Sequence, residues 1–128
     1  MSVQYVEHPT EKYVEIVIDG GISKVDMDVL FPKLEAFMAA EGEIGVMEVI
    51  HGLGLVNVPA ALPHLGTGLQ ALGKVKKVAL VTDMAALATA TRAGAALSPI
   101  ETRVFGRAEE AAAREWLAAP SAATAGAE

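Results

Sequence analysis

Five short stretches of the chain are rich in β-branched residues or alternate between apolar and polar positions, and each predicts a β-strand. The first two are joined by the turn-forming sequence PTEK and predict an antiparallel hairpin whose first strand lies at or near an edge of the sheet. The third stretch is apolar except for Glu48, which is typical of a strand that is covered on both faces. The predicted strands cover residues 3–8, 13–20, 44–50, 77–82 and 101–105.

Between and after these strands, apolar residues recur every three or four positions, which predicts amphipathic helices. The first helix contains Pro32, a residue that removes one backbone hydrogen bond from a helix interior. The last helix consists of strong helix formers, and its predicted inward stripe is Ala112, Ala113, Trp116 and Leu117. The predicted helices cover residues 25–40, 64–72, 84–96 and 107–118.

Strands that alternate with helices pair in parallel and place helices on both faces of the sheet. The order of elements therefore predicts an α/β fold with a mixed, mostly parallel five-stranded sheet, an N-terminal antiparallel hairpin and about four helices. The length of 128 residues fits one domain, which we place at residues 1–118. Residues 119–128 have little to bury and predict a disordered tail.

Composition narrows the classes of function. A net charge of -6 argues against nucleic-acid binding, which needs clustered lysine and arginine, and the absence of cysteine excludes thiolate chemistry. No apolar run approaches the roughly 20 residues that span a bilayer, and no secretory signal pattern is present, so we expect a cytoplasmic protein without a transmembrane segment. Lys74 and Lys76 precede the fourth predicted strand and Lys77 begins it, and together they predict a solvated basic loop, with contact to an anionic partner as the alternative.

Ligands of such sheets bind beyond the carboxyl ends of the parallel strands. His51 and Gly52 follow the third predicted strand, Thr82 and Asp83 follow the fourth, and Phe105 and Gly106 follow the fifth. Asn57 lies in the loop before the second helix. We therefore expect any binding site at this edge. Two histidines in this region lack the carboxylates that would complete a metal site, so no metal and no cofactor are predicted.

The spacing Gly52-x-Gly54-x-x-Asn57 after a strand, with Asp83 at the end of the next strand, partly matches a dinucleotide fingerprint. Asn57 stands where the third glycine is expected, and the acid lies later than usual. The alternatives are plain turn glycines, with Asp83 as a helix N-cap that accepts a backbone N–H. A nucleotide-binding protein or small enzyme that uses Gly52, Gly54 and Asp83 is thus one hypothesis.

The chain offers no Ser, His and acid at a catalytic spacing, no G-x-S-x-G and no P-loop. A non-enzymatic protein is therefore the first hypothesis.

Three ordered segments resemble the SpoIIAA-like family, also called the STAS/SEC14-type domain, over roughly residues 12–118. They are VEIVIDGGISKVDMDVLFPKLEAFMAAEGEIGVMEVI, KVKKVALVTDMAALATA and ETRVFGRAEEAAAREWLA. The positions that carry the resemblance are Gly20 or Gly21, Asp26, Asp28, Pro32, Leu34, Glu35, Val81 to Asp83, Arg103, Phe105, Ala113, Trp116 and Leu117.

The resemblance implies a non-enzymatic module built on a mixed five-stranded sheet. Relatives of the anti-sigma-factor-antagonist type bind a partner protein and are switched by phosphorylation of a serine, but this chain has no Ser or Thr between Ile50 and Gly66. SEC14-type relatives hold a lipid or another apolar ligand between helices and sheet. In this chain such a pocket would lie under the second and third predicted helices, although the same side chains could simply be core: Leu53, Leu55, Val56, Leu62, Leu65 and Leu69.

The sequence therefore predicts a binding or regulatory module that recognises a protein partner or a small apolar, lipid-like ligand. Homo-oligomers are compatible with either form, because the first strand has few charges and could pair with its copy. The predicted contact residues are His51, Gly52, Gly54, Asn57, Leu62, Leu65, Thr82 and Asp83.

Overall fold

Five strands form one mixed sheet in the computed structural model, which describes residues 2–20, 24–53, 73–95 and 100–119. In chain order, and in the same order across the sheet, they are β1 (Ser2–His8), β2 (Tyr13–Gly20), β3 (Ile44–Leu53), β4 (Val75–Val81) and β5 (Glu101–Phe105).

The pairing of the strands confirms the predicted architecture. β1 and β2 are antiparallel, whereas β2, β3, β4 and β5 pair in parallel in succession. β1 is an edge strand, as the hairpin pattern predicted. β3 continues to Leu53, three residues beyond its predicted end, because Gly52 and Leu53 still pair with Asp19 and Gly20 of β2.

Three α-helices accompany the sheet in the part of the chain that the structure describes. They are α1 (Lys24–Glu41), α2 (Ala85–Ala95) and α3 (Glu110–Ala118), and a single 3₁₀ turn at Arg107–Glu109 leads into α3. The helix predicted at residues 64–72 lies outside the described residues, as do residues 120–128 of the predicted tail.

The first helix illustrates how the sequence pattern becomes structure. Leu30 and Leu34 are buried one turn apart, while Pro32 faces outward, so the helix continues through the proline on its exposed side. Gly42 ends the helix in the left-handed region, with φ +85°, and its N–H donates to the carbonyl of Met38 at 2.7 Å. Glycine is suited to this position because it has no Cβ to clash.

Two apolar clusters lie on opposite faces of the sheet. The α1-side cluster is the larger and also receives Leu87 of α2. The α3-side cluster is smaller and is covered by Ala113 and Leu117. The predicted inward stripe of α3 was wrong at Ala112, which is exposed, and Trp116 is half-buried. A short helix on a sheet buries mainly residues four apart, here Ala113 and Leu117.

The prediction of a solvated lysine loop was wrong for Lys77. This residue lies within β4 and is 4% exposed. Its Nζ donates to the carbonyl oxygens of Trp116 at 2.9 Å and of Ala119 at 2.8 Å, both at the C-terminal end of α3. The lysine therefore ties the helix to the sheet.

Among the described residues, no helix is both long and apolar enough to cross a membrane.

Candidate functional site

The carboxyl ends of β3, β4 and β5 bring together residues that are far apart in sequence. We call this surface the rim and define it as His51, Thr82, Asp83, Gly106 and Arg107. Because the three strands are parallel neighbours, their last residues and the residues that follow them lie at one edge of the sheet. Thr82 and Asp83 follow β4 as expected, whereas His51, which was expected to follow β3, lies within that strand, two residues before its end.

Asp83 caps a helical segment, but not the one that follows it in sequence. Its Oδ1 accepts the backbone N–H of Arg107 at 3.0 Å, at the start of the 3₁₀ turn that leads into α3. The segment that follows β4 is contacted by Thr82 instead. Its Oγ1 accepts the N–H of Met84, the residue directly before α2, at 3.1 Å. The carboxylate of Asp83 thus links the end of β4 to the end of β5.

The turn after β5 is closed by its own residues. The N–H of Gly106 donates to Oε1 of Glu109 at 2.9 Å, and the N–H of Glu109 donates to the carbonyl of Gly106 at 2.9 Å. The first bond is the half of a capping box that a glycine N-cap allows, and the second is the backbone hydrogen bond of the 3₁₀ turn. Together with Asp83 these bonds hold the backbone of Arg107 in place.

Three residues of the rim are exposed, namely His51, Asp83 and Arg107, and of these Asp83 accepts a backbone N–H. Nη2 of Arg107 lies 3.4 Å from Nδ1 of His51, and both residues are exposed. Because a guanidinium can only donate, Nδ1 must act as the acceptor in this contact. Among the described residues, no carboxylate is paired with the guanidinium of Arg107.

Sequence reasoning missed Arg107. Its only local signal is its place directly after a predicted strand and Gly106, in a segment that otherwise reads as the start of a helix. The contacts that make it part of the rim come from positions 24 and 56 residues away.

The predicted dinucleotide fingerprint that begins at Gly52 does not form a phosphate-binding turn at this residue. Gly52 lies within β3 and pairs with Asp19 of β2, so it is part of a strand and not of a loop. Half of the predicted contact residues, namely Gly54, Asn57, Leu62 and Leu65, lie outside the described residues.

Ion pairs lie on the α3 side of the hairpin, away from the rim. Nε of Arg114 donates to Oε1 of Glu15 at 2.8 Å, and Nε2 of His8 lies 3.0 Å from the same oxygen. Burial alone would raise the pKa of Glu15, but the hydrogen bond and charge of Arg114, together with His8, hold it below its ordinary value. These contacts fasten α3 to β2.

The rim combines a fixed backbone with an exposed guanidinium and an exposed imidazole. Such groups can donate hydrogen bonds to an anionic or carbonyl oxygen of another molecule. Within the described ranges, no three histidine or acidic side chains lie close enough together to hold a metal ion.

The fold and the rim define an α/β domain with a mixed sheet and helices on both faces. A family model described as SpoIIAA-like matches residues 13–118, and the chain therefore belongs to the SpoIIAA-like family. A crystal structure of an uncharacterised protein from Shewanella loihica PV-4 with a SpoIIAA-like fold is similar over 91% of this chain and 92% of that chain. The TM-score is 0.65 and the sequence identity is 23%. A search among curated proteins gave no match.

Proposed function

We propose that this protein is a non-enzymatic binding or regulatory module of the STAS type, which recognises a protein partner or a small apolar ligand. The observation that carries the proposal is that some rim residues fix the backbone while others are exposed to contact another molecule. Asp83 and Thr82 accept backbone N–H groups and so shape the surface, while Arg107 and His51 are exposed and, like the exposed Asp83, can contact another molecule. A rigid backbone that presents exposed donors suits recognition.

Recognition of a protein partner is the form that the rim supports most directly. Arginine is enriched where proteins bind one another, because its planar group can pair with a carboxylate through two hydrogen bonds. At the rim the guanidinium of Arg107 stands beside an imidazole and has no carboxylate partner among the described residues. We infer that an acidic group of the partner pairs with Arg107.

The test of the protein-partner form compares capture by three immobilised proteins. The wild type, Arg107→Ala and Arg92→Ala would be incubated with lysate of the source cells, and bound proteins would be quantified by mass spectrometry. Arg92 is a matched control because it is an exposed arginine of α2. We expect a protein that is depleted with Arg107→Ala and retained with Arg92→Ala. The same captured proteins at the same levels on all three would count against recognition by the rim.

An apolar ligand is the second candidate, and we place it at the α1-side cluster. This cluster lies between the sheet and the helices α1 and α2 and is built from aliphatic and aromatic side chains. Most small-molecule sites are lined mainly by such side chains, with a few polar groups that fix the ligand. Mass spectrometry of organic extracts from the purified protein tests this form, and extracts without any co-purified lipid would weaken it.

The nucleotide hypothesis makes a different prediction for the rim. It requires Asp83 to bind a ribose hydroxyl, whereas one oxygen of this carboxylate already accepts the N–H of Arg107. Because Gly52 lies within β3 and not in a phosphate-binding turn, calorimetric titration with a panel of nucleotides should show no binding. Binding that is lost in Asp83→Ala would instead support a nucleotide-binding protein or an enzyme.

A further inference from the structure

The outer edge of β5 carries backbone hydrogen-bonding groups that no described residue uses. β5 is an edge strand, and it pairs with β4 along its whole length without a bulge. The carbonyl of Phe105 accepts the N–H of Thr82 at 2.9 Å, so the backbone of Phe105 faces β4. Backbone groups of successive strand residues point to alternate sides. The N–H and carbonyl groups of Thr102 and Val104 therefore point outward, away from the sheet.

Two exposed charges of opposite sign flank Thr102 on the face of the sheet that α3 covers. They belong to Glu101 and Arg103, and neither forms an ion pair with a described residue. Glu101 lies opposite Lys77 in the register, but the amine of that lysine is bound to the end of α3. The guanidinium of Arg103 lies over two rings, with its Cζ 5.6 Å from the centre of Phe105 and 5.7 Å from that of Trp116. Stacking of this kind positions the guanidinium and leaves its N–H groups able to bind a carboxylate.

These charges are complementary to those of a second copy of the same strand. Two β5 strands can pair antiparallel about a two-fold axis that passes through Thr102. The two Thr102 residues then exchange their outward N–H and carbonyl groups. Glu101 of each copy lies opposite Arg103 of the other, on the same face of the sheet. Opposite charges that face each other directly stabilise an antiparallel pair, so the order Glu-Thr-Arg is self-complementary about its centre.

We propose that this protein forms a symmetric homodimer in which the two β5 strands pair antiparallel about Thr102 and join the two sheets into one continuous sheet. The assembly goes beyond the proposed function, because it uses no residue of the rim. It also differs from the pairing through the first strand that the sequence suggested. In β1 the acidic Glu7 has no lysine or arginine of the same strand to face it. Because β5 has only 5 residues, the dimer should be weak and should depend on protein concentration.

The experiment reverses the two charges singly and together in the full-length protein. Sedimentation velocity at low ionic strength, over a range of concentrations, measures the dissociation constant of the dimer for the wild type, Glu101→Arg, Arg103→Glu and the double variant. Each single variant places like charges opposite each other at both contacts, whereas the double variant restores two pairs of opposite charge.

Two controls separate this interface from other effects. Val6→Lys places a lysine on β1, which disfavours pairing through that edge, and Val6 is 46% exposed. Lys33→Glu makes the same change of net charge as Arg103→Glu at an exposed position of α1. Circular dichroism verifies that each variant is folded.

We expect the wild type to dimerise and each single variant of β5 to have a dissociation constant at least about tenfold higher. The double variant should recover the wild-type value to within about threefold. A mixture of Glu101→Arg with Arg103→Glu should form a heterodimer, because every contact then joins an arginine to a glutamate. Both controls should dimerise as the wild type does.

Three results would overturn the proposal. They are a wild type that stays monomeric at every concentration, a dimer that survives in both single variants, and single variants that associate neither in the mixture nor when their changes are combined. Loss of the dimer in Val6→Lys alone would assign the interface to β1 instead. None of these results affects recognition by the rim, which is tested separately through Arg107.

Discussion

The side-chain amine of Lys77 lies 2.9 Å from the carbonyl oxygen of Trp116 and 5.0 Å from the centre of its indole ring. A strand residue thus supplies the cation that the C-terminal end of α3 lacks in its own last turn. A positive charge at this end of a helix is favoured by the helix dipole and by the unpaired carbonyl groups. The contact joins the α3 layer to the centre of the sheet.

Replacement of Lys77 by Met should lower the free energy of unfolding by about 1–3 kcal/mol, because two carbonyl groups at the end of α3 lose their donor. Urea denaturation followed by circular dichroism measures this change. Lys76→Met is the control, since Lys76 reaches Glu43 only at 3.9 Å and is partly exposed. We expect the control to change stability by less than about 0.5 kcal/mol. Equal losses in both variants would contradict the role assigned to Lys77.

Gly45 allows α3 to approach β3 closely. A Cβ atom at this position would lie 2.8 Å from Cδ2 of Leu117, which is closer than two carbon atoms can pack. Gly45→Ala should therefore destabilise the protein by about 1–3 kcal/mol through overpacking.

A double-mutant cycle tests whether Leu117 is the cause. Leu117→Val shortens the side chain that meets the new methyl group, so the double variant should lose less stability than the sum of the two single variants. Additivity within about 0.5 kcal/mol would show that Gly45 is needed for another reason.

The raised pKa of Glu48, which burial within β3 brings to about 7, predicts that its contribution to stability declines with increasing pH. Between its ordinary value of 4.5 and about 7, the unfolded chain is ionised at this residue while the folded protein keeps the proton. The folded state therefore binds more protons, and stability falls as pH rises through this window. A shift of this size corresponds to about 3 kcal/mol.

Comparison of the wild type with Glu48→Gln separates the pH dependence of stability that Glu48 causes from that caused by the other carboxyl groups. Relative to the variant, the wild type should lose about 3 kcal/mol between pH 4.5 and 7 and then remain level. Urea denaturation across this range measures the difference. Tyr5, which also packs against the α1-side cluster, has a raised pKa because of burial and Glu7, so it stays neutral throughout the window. A constant difference between wild type and variant would refute the assignment.

The ion pair of Glu15 and Arg114 should have the opposite pH dependence, so that its contribution to stability increases as pH rises. The lowered pKa of Glu15 means that its stabilising effect is present above its ordinary value and is lost as pH falls through the folded-state pKa. Arg114→Met should cost about 1 kcal/mol at neutral pH, a modest value because the side chain of Arg114 is 41% exposed. The loss of stability caused by Arg114→Met should be smaller at acidic pH, where Glu15 is protonated.

Denaturation of Arg114→Met and wild type at neutral pH and below about pH 3 provides this comparison. Arg92→Met serves as the control, because Arg92 is an exposed arginine on α2, away from Glu15. Its effect should be small and independent of pH. If the cost of Arg114→Met does not change in acid, the charge of Glu15 is not what Arg114 stabilises.

The pattern of apolar and polar residues along the chain was sufficient to predict most of the architecture. β2 and β5 lie at their predicted bounds, and α1 begins and ends within one residue of its prediction. These elements follow from hydrophobic periodicity, turn residues and caps, which act over a few neighbouring positions. The resemblance to the SpoIIAA-like family was also confirmed, because it rests on an ordered set of such local segments.

The candidate site was only partly predictable. Parallel strands place their carboxyl ends at one edge, so His51, Thr82 and Asp83 could be assigned to it from the order of elements alone. The partner of Asp83 could not, since the N–H that it accepts belongs to Arg107, at the start of a different helical segment.

The amino-acid sequence by itself determined the strands, the described helices and the parallel direction of β2 to β5, because periodicity and turn chemistry are properties of neighbouring residues. Only the tertiary structure decided that Lys77 is buried under α3, that Glu48 has no described partner and that Arg107 reaches His51. The burial and pairing of polar groups depend on which segments contact one another in the folded protein. These contacts join residues that are distant along the chain, so the pattern of neighbouring residues does not reveal them.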